Sequence, residues 1–179
     1  MHLWTGLYRH HRWSNLRLID FLSGLSLEHL ELTVPGTYGS VLATVRHVVS
    51  SDADYVRIIP DAPDVPQIDD VGGFEGWEDL RRVANAAGTA LIGYVDGLTD
   101  DAFFVDVDEG VAFDLSRSIL LNQVIHHATD HRGQIATTLS AHGVAVPDLS
   151  TWSWRKTDEG QVLLDALRPL DPESQSSDS

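Results

Sequence analysis

Between Ser116 and His142, the residues Leu120, Val124, His127, His131, Ile135 and Thr138 recur at intervals of three and four. That period belongs to an amphipathic helix, and a helix this long must lay its stripe against other elements. Gly143 follows where a glycine commonly ends a helix. Three further stretches ask for the same solution. Residues 3–23 carry Leu3, Leu7, Trp13, Leu16, Ile19 and Leu22. From about Ser40 to Ile59 the apolar stripe is Val41, Val45, Val48 and Val56, with Ser40 placed to cap the start and Pro60 to end the run. From about Trp77 to Gly97 it is Leu80, Val83, Ala84, Ala87, Leu91 and Val95. Four such helices, each with a face that needs a partner, read as an all-α four-helix bundle.

The connections are legible from their turn chemistry. Gly24 to Gly39 is a connection with Pro35-Gly36 as its turn, and Asp61 to Gly76, rich in proline, glycine and aspartate, is irregular backbone. Phe103-Phe104-Val105 and Val111-Ala112-Phe113 flank Asp106 to Gly110, which predicts a small β-hairpin before the last bundle helix. After that helix, Trp152, Trp154 and the apolar run Val162 to Leu167 are expected to dock as a strand or a turn of helix. Residues 1–170 are expected to form one domain, and the polar, acidic residues 171–179 a disordered tail.

Composition narrows the chemistry. The chain has no cysteine, which removes disulfides, thiolate ligands and cysteine nucleophiles, and leaves histidine and carboxylate as the strong metal ligands. A formal net charge of −15 argues against a nucleic-acid partner, which demands clustered Lys and Arg. No stretch reaches the length and apolarity of a membrane span, and Met1 to His11 does not read as a signal peptide. A cytoplasmic location fits. No nucleophile elbow or phosphate-cradling glycine loop is present.

The segment Ile125-His126-His127-Ala128-Thr129-Asp130-His131-Arg132-Gly133-Gln134 carries the most chemical information. His127 and His131 lie one turn apart on one helix face, where two imidazoles can chelate a transition metal at about 2.0–2.1 Å per bond. With nine histidines in the chain, the same spacing also arises by chance in structural pairs held by ordinary hydrogen bonds. His47 is a candidate from another helix. It shares a small, polar stripe with Ser40, Ala43, Ser51 and Asp54, which could line a hydrated cavity or equally face solvent. His126 points about 100° away from His127 and is not expected to share its ion. His10 and His11 are expected at the surface or behind the ligands, and Arg132 in an ion pair with an acidic loop.

Three blocks of residues resemble the DinB/YfiT-like superfamily of metal-dependent proteins. The first is Tyr8, Trp13, Asn15 and Leu18, followed by Leu25-Ser26. The second is Tyr38-Gly39-Ser40, leading into Val45-Arg46-His47 and on to Asp52 and Tyr55. The third is His127-x-x-x-His131-Arg132-Gly133-Gln134. The resemblance covers about residues 5–150, with the blocks in the expected order. It implies an up-down-down-up bundle and one divalent transition metal, Zn or Ni first among the candidates, on His47, His127 and His131. It also implies open coordination positions, the arrangement of a reactive site.

Members of known activity resemble thiol transferases, so the leading expectation is transfer of a low-molecular-weight thiol to a small electrophilic substrate. Metal-dependent hydrolysis is one alternative. A non-catalytic, metal-containing protein of the stress response is another, of a different class. Trp4 and Trp152 exceed the needs of one core and make a homodimer an option.

Overall fold

Serine caps start two of the long helices, and the other two begin without a side-chain cap. In the computed structural model, which describes residues 4–108 and 110–167, α1 is Thr5–Leu22, and a single turn, α2, is Leu27–Leu30. The second long helix, α3 (Val41–Ile58), starts where the Ser40 hydroxyl accepts from the Ala43 N–H at 3.2 Å. α4 is Trp77–Asp96. β1 (Phe103–Asp108) and β2 (Val111–Ser116) follow and lead straight into α5, Arg117–Ala141. Ser116 caps α5 by accepting from the Ile119 N–H. At its far end Val144 N–H returns to Leu139 O and Gly143 N–H to Ser140 O, with Gly143 at φ +78°. That paired closure requires a left-handed residue, hence the glycine.

The chain divides into two units, residues 1–147 and 148–179. In the first, α1 packs on α4, α4 on α3, and α3 on α5. Apolar side chains from all four helices, among them Leu18, Ile19, Val45, Val48, Leu80, Leu91, Val124 and Ile135, are almost wholly withdrawn from water. Tyr8 brings α1 to α5 by donating its hydroxyl to Leu121 O at 2.7 Å. The chain is therefore mostly helical with one antiparallel hairpin. The hairpin is longer than its β-rich ends suggested, because Asp106 and Val107, read as turn, pair with Phe113 and Ala112. In the second unit Ser150 caps α6 (Thr151–Trp154), and α7 (Asp158–Leu167) makes the apolar run after Val162 helical. The expected tail, residues 171–179, lies outside the described residues, as do His2 and Leu3. No helix among the described residues is long and apolar enough to cross a membrane.

The buried face of α1 differs from the apolar stripe expected for it. The residues it buries are Thr5, Tyr8, His11, Ser14, Asn15, Leu18, Ile19 and Leu22, while Leu7 is exposed. Apolar periodicity treats His11 and Asn15 as outward residues. They turn inward because α3 and α5 supply polar partners for them in the core.

Candidate metal centre

His47 reaches the centre from α3, and His127 and His131 from successive turns of α5. One ring nitrogen from each lies within 4.8 Å of those of the other two, so the group could hold a metal ion. His47 Nε2 and His127 Nε2 are 3.1 Å apart. That contact is a hydrogen bond between the rings, and two metal–imidazole bonds at the tetrahedral angle would need a similar separation, about 3.3 Å. The rings meet edge to face, with centroids 4.5 to 5.0 Å apart. His47 is half-buried, as are Ser40, Ala43, Ser51 and Asp54 on the same stripe. His47 itself is turned to the other two histidines, while Asp54 on the same stripe pairs with the exposed Arg57.

The outward nitrogens have different surroundings. His47 Nδ1 donates to Asp70 Oδ2 at 2.9 Å. His131 Nδ1 donates to Gln134 Oε1 at 3.3 Å, and the same oxygen accepts the Tyr38 backbone N–H at 2.7 Å. Gln134 Nε2 donates in turn to Asp130, which fixes which end of the amide faces the histidine. His127 Nδ1 is buried with no hydrogen-bond partner among the described residues. Burial, reinforced by the neighbouring His131 and His47, lowers the His127 pKa from 6.5 to about 4. A ring kept neutral in this way keeps its lone pair for a cation at ordinary pH, which is what a metal ligand needs. Three imidazoles with no thiolate suit a first-row transition ion.

Aromatic rings frame the cluster. Tyr38 stacks on His47 with centroids 4.1 Å apart and meets His131 edge-on. Tyr55 approaches His127 edge-on at 5.8 Å and accepts a hydrogen bond from Gln123. Burial raises the Tyr55 pKa, so it is a protonated phenol near neutrality.

Behind the histidines lies a polar network of which the sequence exposed only fragments. Asp52 Oδ2 accepts from His11 Nε2 and from Asn15 Nδ2, both at 2.8 Å. Arg132 Nη1 donates to Asn15 Oδ1 at 2.7 Å, and Nη2 to Thr129 at 3.0 Å. His11, Asn15, Asp52 and Arg132 are all buried. The expected ion pair of Arg132 with an acidic loop is thus replaced by a place in the core, and His11, expected at the surface or behind the ligands, lies buried against Asp52. Desolvation lowers the Arg132 pKa to about 10, opposed by the Asp52 charge, which leaves it cationic at neutral pH. Asp52 Oδ1 is a second buried polar atom without a partner among the described residues.

His126 is exposed and takes no part in the cluster. Asp70 was missed altogether, since an aspartate in a glycine- and proline-rich loop reads as solvated surface. Asn15, Asp52 and Gln134 stood inside the blocks that carried the resemblance, although their partners did not follow from spacing.

No curated protein matches the chain. The model of the DinB family matches residues 2–164, which takes in all three histidines and every residue that orients them, and the chain belongs to the DinB family.

Proposed function

We propose that the chain binds one divalent transition metal through His47, His127 and His131, and uses it to transfer a low-molecular-weight thiol to a small electrophile. The observation that carries this reading is the convergence of three ring nitrogens from two helices on one point. When bound, such an ion supplies Lewis-acid activation of a weakly acidic thiol, which a chain without cysteine cannot provide from its own nucleophiles. The histidines fix the position of the reacting centre. Tyr38 covers one face of His47 and limits water on that side, while Gln134 holds the His131 ring by its outer nitrogen. Arg132, committed to Asn15 and Thr129, stabilises the helix pair behind the site and does not meet substrate in this reading.

Family membership supports taking the four long helices as an up-down-down-up bundle. The match runs through residue 164, across the boundary between the two units, and supports one domain over 1–170. Zn and Ni are the first ions to test.

Elemental analysis of the untagged protein beside His127→Ala and His126→Ala tests the site. About one equivalent of metal is expected in the wild type and in His126→Ala, and little in His127→Ala. Thiol-dependent turnover of a model electrophile, abolished by chelation, then tests the reaction. Metal uptake without any thiol-dependent turnover would remove the transferase reading and leave the metal site.

A further inference from the structure

We propose that Asp70 is a positioning residue of this metal site. Its carboxylate, presented by a loop that Arg46 fastens to α3, holds the His47 ring with the proton on Nδ1 and Nε2 turned toward the other two histidines. The inference rests on the metal-binding reading above and adds to it the part played by the loop between α3 and α4.

An imidazole free to choose its tautomer spends part of its time with the proton on the nitrogen a metal needs. A carboxylate on the far nitrogen removes that freedom and makes the ring a better donor. Asp70 Oδ2 is 2.9 Å from His47 Nδ1, and the two side chains are only 25% and 22% exposed, so water competes weakly for the bond. The question is what holds Asp70 there, since its loop has no helix or strand of its own.

The neighbouring residue on α3 answers it. Arg46 Nη2 donates to Asp69 O at 2.7 Å and to Gly72 O at 2.6 Å, with Gly73 O at 3.4 Å. One turn further along, Ser50 Oγ donates to Ile68 O at 3.2 Å. Arg46 and Ser50 thus grip the backbone on both sides of Asp70. The loop is also folded on itself, because Asp69 Oδ1 accepts the Val71 N–H at 3.0 Å. Backbone donors from Gly72 and Val71 hold the Asp69 carboxyl below its ordinary range. A Cβ on Gly72 would fall 2.4 Å from Asp69 Oδ2, so a larger residue there would push that carboxylate out of its place in the turn. Clamp, turn and carboxylate together deliver Asp70 to His47 and to no other histidine of the cluster.

The test uses the full chain stripped of metal. Zn(II) affinity is measured by competition with a chromophoric chelator for wild type, Asp70→Ala, Asp70→Asn and Arg46→Ala. The His47 tautomer is read from long-range ¹H–¹⁵N spectra of the metal-free proteins. Asp70→Ala is expected to weaken Zn(II) binding by about 10–100-fold and to release His47 from its Nδ1–H form, with the His131 ring unchanged. Asp70→Asn keeps an acceptor and should recover part of both effects. Arg46→Ala should fall on the same side as Asp70→Ala, because the loop is loosened while Asp70 remains. Thermal melting separates these outcomes from general unfolding. Wild-type affinity in Asp70→Ala together with an unaltered His47 spectrum overturns the proposal. If the wild type takes up no ion, the metal-binding reading falls instead, and an unaltered tautomer in Asp70→Ala still overturns the positioning role of Asp70.

Discussion

The buried carboxylate of Asp52 shows how a residue's worth depends on what meets it. It accepts from His11 and Asn15, and its charge acts on the buried guanidinium of Arg132. Asp52→Ala would leave the His11 and Asn15 donors without their acceptor and the buried Arg132 cation without its compensating charge. The loss expected is about 3–5 kcal/mol, the cost of breaking a buried charge pair from one side. Urea denaturation of the metal-free protein measures it, and a change below about 1 kcal/mol would mean that the network is worth no more than an ordinary hydrogen bond. The same residues explain why the site was only partly readable. A histidine pair one turn apart is visible as spacing, whereas Asp70 meets His47 across a loop whose path no periodicity encodes.

Among the elements, α1 and α4 approach closely at Gly88. A Cβ there would sit 2.6 Å from Arg12 Cγ and 2.8 Å from Arg12 Cβ, near the root of a side chain that cannot simply swing aside. Gly88→Val is expected to part the two helices and cost about 1–3 kcal/mol, seen as a lower melting temperature. Metal affinity should change much less, because all three histidines belong to α3 and α5. Helix existence was legible in the sequence, and Ser40 and Gly143 stand at the caps where their chemistry placed them. The inward face of α1 was not, because its polar residues find their partners on other helices.

For the whole molecule, acid links the site to stability. The folded His127 pKa is lowered from 6.5 to about 4, so between these values the unfolded chain takes up the proton that the folded chain refuses. The stability this ring contributes is complete above pH 6.5 and is lost as pH falls through the folded value near 4. Melting curves of the metal-free protein from pH 7 to 4 should therefore show a falling midpoint. Carboxylates titrate over part of the same range, so the comparison is with His127→Gln, whose midpoint should fall less steeply. Parallel curves for the two proteins would show that the ring titrates alike in the folded and unfolded chain.

The sequence by itself determined four amphipathic helices, the caps at Ser40 and Gly143, the hairpin and the paired histidines of α5, because each depends on residues a few positions apart along the chain. Family membership was likewise carried by three short blocks in order. Spacing left the place of His47 open and the resemblance implied it beside the α5 pair; the tertiary structure brings it to His127 across a separation of 80 residues. It also decided that Arg132 lies in the core and that Asp70 stands behind His47. Those outcomes depend on how helices and a loop pack, and the polar partners that make an inward histidine or arginine tolerable come from elements far apart in the chain.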